Sequence, residues 1–361
     1  MAKAKEVEGL DCGAGALEGI RLVLRTRFDE MYEQRAAALE REGIKGVHDM
    51  RVASRRLRSA LRDFKDFLDG EDVPKRRIKK VARALGEVRD VDVNIASLLE
   101  IRSKADGEEV AAGIEGLLNE LSTQRERARK RLESSLSETK LAELRQKFLA
   151  RLESDSGGVR EKRDGGRARG AWKAVSFRLV GREIIKARLA ELWDLSDSLH
   201  HPFDIKPLHR MRIAAKRLRY AMELFTPCWG GKLSSYSREV AELQSALGDL
   251  CDCNMWIADI GARLDRQRNV VLGMGKQTAN ARFREAASWL LQYFTTEYEG
   301  HFRNALARWH EWETGGFFVR MTALLEDRQT YTHAAQVKQS EPDATPGVVA
   351  TDDAADIHLS K

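Results

Sequence analysis

Two stretches of the chain set a histidine at the head of a row of guanidinium groups. In V-H-D-M-R-V-A-S-R-R-L-R-S-A-L-R-D-F, Val47 to Phe64, His48 is followed by Arg51, Arg55, Arg56, Arg58 and Arg62. In L-H-R-M-R-I-A-A-K-R-L-R-Y-A-M-E-L-F, Leu208 to Phe225, His209 is followed by Arg212, Lys216, Arg217 and Arg219. The offset between the copies is 161 (209 − 48). A guanidinium offers a planar, two-point donor to an oxyanion, and imidazole adds a further donor. The chemistry implied is anion binding. A metal site built from His48, His209, Asp90, Asp92 and Asp252 is the weaker alternative. Neither histidine has a second histidine at i+4, and the surrounding arginines repel cations.

Placed on a helix at about 100° per residue, His48, Arg51, Arg55, Arg58 and Arg62 fall on one side, and Met50, Ala53, Leu57, Ala60, Leu61, Phe64 and Leu68 on the other. Acidic residues at i+4 spacing that would neutralise the cationic stripe are missing. A solvated basic face is the plain reading of one such helix. Its recurrence in register argues against that reading. Gly46 and Pro207 share the offset, and both are helix-start residues. They predict that each histidine sits in a first helical turn, where free N–H groups favour an anion.

The elements that must position these rows are helical. A helix is predicted from about Ala16 to Arg41, with its counterpart from about Trp172 to Leu199; Arg21 and Arg182 correspond. A third helix carries Ile78, Val81, Leu85, Val88, Ile95 and Leu99, and its copy carries Val240, Leu243, Leu247, Leu250 and Ile257, at bundle spacing. Asp92 and Asn254 are polar at an inward position, and Asp90 and Asp252 are repeated. Such groups need partners, and the motif-helix Arg and His side chains are the expected ones. The four are read as orienting residues behind the anion ligands. Lys79 and Arg83 on the third helix, and Arg125 and Arg129 in the fourth region, are further candidate ligands. That fourth region runs from Val110 to about Leu152 and from Ala279 to about Leu325, with breaks expected near Ser137–Thr139 and Gly315-Gly316. Its aromatics in the second copy, such as Trp309 and Trp312, are core by their helical spacing.

The fold class is therefore all-α: two antiparallel helical bundles from an internal duplication. Residues 1–14 read as a loose arm, 15–152 as the first bundle, 153–170 as a glycine-rich linker, 171–326 as the second bundle, and 327–361 as a disordered tail. The 361 residues include 62 Lys and Arg against 56 Asp and Glu, a net charge of +6, so basicity is a matter of placement. Apolar runs fall short of membrane-spanning length, and no signal peptide precedes the first helix. The four cysteines, Cys12, Cys228, Cys251 and Cys253, read as reduced thiols of an intracellular protein, hence a cytoplasmic location.

The segments H-D-M-R-V-A-S-R-R-L-R and H-R-M-R-I-A-A-K-R-L-R, with L-G-E-V-R-D-V-D and L-G-D-L-C-D-C-N, resemble the CHAD family, the conserved-histidine α-helical domain. The resemblance covers about residues 15 to 325. It implies two bundles related by a pseudo-twofold axis, basic surfaces lining a shared groove or pore, inorganic polyphosphate as ligand, no catalysis of its own, and no cofactor. Polyphosphate granules and polyphosphate-metabolising enzymes are the implied surroundings and partners. Arg62 becomes Glu223 and Arg89 becomes Cys251, so the second half is less cationic.

Polyphosphate offers only charged oxygens, with no base to stack, and a row of Arg, Lys and His donors suits it. A nucleic-acid binder would want aromatics among the cations, and the stripes carry none. A polyphosphate-cleaving centre would need a carboxylate cluster or an activated nucleophile, and the sequence offers neither.

Overall fold

The computed structural model describes residues 4–40, 43–68, 73–153, 175–268 and 274–327. The chain is all-α. The first predicted helix splits at Gln34 into α1 (Ala16–Glu33) and α2 (Arg35–Leu39). The first motif forms α3 (Ile44–Asp63). Then come α4 (Lys75–Arg102), α5 (Glu108–Ser135), α6 (Glu138–Glu153) and α7 (Phe177–Trp193). The second motif forms α8 (Ile205–Phe225), followed by α9 (Leu233–Arg268), α10 (Met274–Thr314) and α11 (Phe317–Glu326). Among the described residues the β-structure is one isolated bridge, Gly15 to Ser176. The breaks expected in the fourth region appear between α5 and α6 and between α10 and α11. At the second, Gly316 takes φ 62°, a left-handed conformation that costs a side-chain-bearing residue energy. The expected linker and tail lie outside the described residues, apart from Glu153 and Asp327.

The two motif helices start two residues earlier than predicted, at Ile44 and Ile205. Gly46 is therefore inside α3, and its role is contact: a Cβ there would lie 2.1 Å from the Ala37 carbonyl oxygen. Only glycine lets α3 approach α2 this closely. His48 and His209 are each the fifth residue of a helix. They lie past the first turn, whose free N–H groups were the expected anion donors.

The apolar stripes behave as their periodicity dictates. Met50, Ala53, Leu57, Ala60 and Phe64 are buried, as are Met211, Ala214, Leu218, Ala221 and Phe225. The helices converge at their C-terminal ends, where the Phe64 and Phe225 rings meet edge to face at 6.0 Å and Phe177 at the start of α7 joins them at 6.2 and 4.9 Å. Each such ring pair adds about 0.5–1.5 kcal/mol beyond simple burial. Two apolar clusters result. The larger takes in α1, α3, α6, α7, α8 and α11 with parts of α4, α5, α9 and α10. The smaller joins the C-terminal part of α4 and N-terminal part of α5 to α9 and α10, around Leu98, Ile114, Ile260 and Leu290. Each cluster draws on both sequence halves.

Of the arm expected to be loose over 1–14, residues 4–14 are described, and two points of it are held. The Arg27 guanidinium donates to the Lys5 carbonyl, and Lys5 pairs with Glu33 at 2.6 Å. Cys12 is bonded to Cys228 in a disulfide, with Cα atoms 5.4 Å apart, which corrects the reading of four reduced thiols. Cys251 and Cys253 are free and buried. The partner of Cys12 lies 216 residues away, a pairing no local spacing reports.

Candidate anion-binding site

Facing turns of α3 and α8 bring the two cationic rows together. Lys216 on α8 stands in the field of Arg212 and Arg219 on its own helix and of Arg51 and Arg55 on α3. Burial, then these guanidinium groups, holds its ammonium down to about 8. Arg55 is lowered too, chiefly by burial, with Arg51 and Arg219 adding to it. Beneath them lies Tyr220, buried, with the Arg55 guanidinium 5.8 Å and the Arg219 guanidinium 5.0 Å from its ring centre. The ring steadies two like charges at close quarters.

Two carboxylates border this cluster. Arg51 donates from Nη2 to Asp90 Oδ1 at 2.8 Å, and Arg212 reaches Asp252 Oδ1 at 3.8 Å. The Asp252 carboxyl is pushed up, first by partial desolvation from the protein around it although the side chain keeps an exposed face, with Asp90 among the charges that add to this. The two Arg–Asp pairs are thus neighbours. Arg51 and Arg212 also lie over the repeated glycines: a Cβ on Gly86 would sit 3.9 Å from Arg51 Nε, and one on Gly248 3.5 Å from Arg212 Nε.

His48 is half-buried and His209 exposed. Both imidazoles are held below the usual 6.5, first by the partial loss of water around each ring, which at His209 comes from the neighbouring protein although the residue as a whole is exposed. Arg89, Arg55 and Arg51 add to the effect at His48, where Asp49 opposes it, and Arg212 and Lys216 add at His209. Each is neutral at pH 7 and carries one N–H to give. A cavity of about 830 Å³ opens at His209 and Arg212, with Asp252 and Asn254 also on its lining.

The CHAD domain family matches residues 22–261, more than half of the chain. The chain belongs to the CHAD domain family. Among solved structures, the CHAD domain from the plant Ricinus communis is similar at 22% identity and a TM-score of 0.62, covering 86% of this chain and 96% of that one. PptA from Streptomyces chartreusis is similar at 15% identity and a TM-score of 0.58, covering 82% of this chain and 100% of that one. At these identities the likeness is one of fold. Among curated proteins no match is found. CHAD domains are non-catalytic modules. Among the described residues, no group of three or more His, Cys, Asp or Glu is placed to hold a metal ion, and no helix is long and apolar enough to cross a membrane.

Other candidate ligands of this CHAD chain are placed apart from the cluster or engaged elsewhere. Arg56 is buried, 2.9 Å from Glu30 and 3.7 Å from Glu223, where an external anion would have to displace carboxylates. Arg217 pairs with Glu191, and Arg219 lies 3.3 Å from Glu223. Arg62 donates to Ser59 at 2.8 Å and lies 3.7 Å from Asp63. Arg129 is buried and donates to the Ala38 and Glu40 carbonyls, holding α5 to the end of α2. Arg83 pairs with Glu87, and Arg182 with Glu183 and Glu326. Arg21 is half-buried on α1, and Arg58 and Lys79 are exposed. Asp92 is buried as expected, but its partner is Arg125 on α5 at 2.6 Å, in place of a motif-helix side chain. Asp90 and Asp252 do meet the motif arginines, from exposed positions.

Sequence reasoning passed over the acids that engage these arginines. A signal was present: Glu30 and Glu191 share the offset of 161 (191 − 30), as do Arg27 and Arg188 beside them. A repeated carboxylate next to a repeated arginine marks an internal pair.

Proposed function

We propose that the protein binds inorganic polyphosphate along the surface shared by α3 and α8, with Arg51, Arg55, Arg212 and Lys216 as the central ligands and His48 and His209 at the flanks. The observation that carries this reading is the crowding of Lys216 among four guanidinium groups contributed by both motif helices. Such a cluster is held together against its own repulsion, and a polyanion relieves it. On this reading the two sequence copies form duplicated halves about a pseudo-twofold axis, 15–152 and 171–326, and the surface between them is the groove. Phosphate contacts release counterions, which makes affinity steeply salt-dependent. Recruitment to polyphosphate granules, beside enzymes that make or break the polymer, is the setting we propose. Nucleic acid suits the site less, because Tyr220 is buried beneath two arginines and gives no open face for a base.

The test is competition. Polyphosphate, DNA and RNA, matched in phosphate and at physiological salt, compete for the protein against labelled polyphosphate. Displacement by unlabelled polyphosphate at much lower phosphate than by either nucleic acid supports the proposal. Equal displacement by all three overturns it.

A further inference from the structure

The cavity beside His209 has walls that polyphosphate does not need. Ile205, Cys251 and Met255 line it together with Asn254. The Cys251 thiol is neutral at physiological pH, since burial raises it. Inorganic polyphosphate has no apolar or uncharged part for such walls to hold. At about 830 Å³ the cavity is in the range of small-molecule sites, which run to roughly 300–1,000 Å³.

The two halves differ at this place in a directed way. Cys251 corresponds to Arg89 at an offset of 162 (251 − 89), and Arg89 lies in the field of His48. The smaller cysteine leaves room beside His209 and removes a charge. Asn254 corresponds to Asp92 at the same offset. Asp92 is buried against Arg125, whereas Asn254 lines the cavity with a neutral amide, both donor and acceptor. The rest of the lining is charged or basic, with Lys206, His209, Arg210 and Arg212 beside the single carboxylate of Asp252, and Arg212 shares the field of Lys216.

We infer that this cavity takes the uncharged end of a nucleoside triphosphate, its phosphates directed toward Arg212 and Lys216. The walls at Ile205 and Met255 cover base or sugar, and the Asn254 amide meets a polar edge of the base. The inference rests on the anion-binding reading of the cluster and adds a second ligand class to it. No bond is made or broken.

The test compares ATP with inorganic tripolyphosphate, without divalent cation, by calorimetry at fixed salt and pH 7.5. Tripolyphosphate carries the greater charge per molecule, so electrostatics alone favours it. The expected result is the reverse: ATP tighter by about tenfold, the step that roughly 1.4 kcal/mol of added contact produces. Cys251→Arg restores the residue of the first half and fills the cavity. It should abolish the ATP preference while long-chain polyphosphate still binds. Cys251→Leu fills it without charge and should act in the same direction, which separates blockage from electrostatics; circular dichroism confirms that both variants fold. Should tripolyphosphate bind as tightly as ATP to the wild type, or the preference survive in both variants, the cavity assignment is wrong. Long-chain polyphosphate binding, measured in parallel, reports separately on the anion-binding reading.

Discussion

Two faces of α3 and α8 carry the same residue types and do different things. On one, Arg51, Arg55, Arg212 and Lys216 crowd together with Asp90 and Asp252 at their edge. On the other, Arg56, Arg217 and Arg219 meet Glu30, Glu191 and Glu223, and Arg219 stands at the border, its charge still bearing on Lys216. Arg188 from α7 extends this second set, 2.7 Å from Asp63 and 3.0 Å from Glu191. A guanidinium is a ligand or a strut according to what stands opposite, and a helical wheel does not report that. Where each arginine has a carboxylate, the charges cancel and the helices are joined. Where the arginines outnumber the carboxylates, the surplus attracts an anion.

The largest effect should follow from inverting the crowded set. Arg51→Glu, Arg55→Glu and Lys216→Glu together should lower polyphosphate affinity more than about 100-fold at moderate salt. The slope of log affinity against log salt should fall by roughly 2, three contacts at about 0.7 each. Fluorescence titration at several salt concentrations measures both. Affinity close to wild type would remove the cluster from the site.

The paired set should answer in stability. Glu30 meets both Arg27 and Arg56 in the interior. Glu30→Ala takes the shared acid from two buried guanidinium groups and leaves Glu223, 3.7 Å from Arg56, as the acid beside them; breaking a buried pair in this way costs about 3–5 kcal/mol. Urea unfolding should show this loss, while the folded fraction keeps its affinity for polyphosphate. A variant of unchanged stability but weakened binding would mean that the two regions have been assigned the wrong way round.

Lys216 should sharpen the comparison through pH. Its folded-state value of about 8 lies below the ordinary 10.5. Between these values the unfolded chain holds a proton that the folded chain lacks, so stability rises with pH across that window. Below about 8 the penalty is complete. A bound polyanion favours the ammonium, so binding at pH 9 should take up protons. Calorimetry in buffers of different ionisation enthalpy detects the uptake. Lys216→Arg, charged throughout, should reduce it and flatten the rise in stability. Unaltered uptake in that variant would place the titrating group elsewhere.

Much of this architecture was legible because it is periodic. The apolar stripes, the third-helix repeat and the breaks beside Ser137 and Gly315 come from local pattern, and the structure has them except at the end of the third helix, where Leu99 is exposed and Leu98 is buried in its place. What escaped depends on distance along the chain. The Cys12–Cys228 pair spans 216 residues, and the clamp of Arg129 on the Ala38 carbonyl spans 91. The split at Gln34 escaped for another reason: the helical pattern continues across it, and the approach of α3 at Gly46 is a tertiary demand. In the site, the row of cations could be read but not its division. Arg55 and Arg56 are adjacent in sequence, and one turns to the crowded cluster while the other turns to Glu30.

The smallest expected effect belongs to the histidines. They sit past the first helical turn, so the backbone gives little help in holding an anion, and each contributes one side-chain donor. Both imidazoles are held below 6.5 in the empty protein, by partial loss of water first and by neighbouring cations after it. A bound polyanion opposes those cations and raises both. Protons should therefore be taken up on binding near pH 6, and affinity should rise as pH falls through that range. The window lies below that of Lys216, so the two sources are separable. His48→Gln with His209→Gln keeps a neutral donor at each place. The double variant should bind at pH 8 within about threefold of wild type, less than the 1.4 kcal/mol of a tenfold change, and should lose the gain near pH 6. Calorimetry at pH 6 in two buffers decides it. Uptake equal to wild type in the double variant would show that these imidazoles do not face the ligand, and binding abolished by a chelator would make them metal ligands instead.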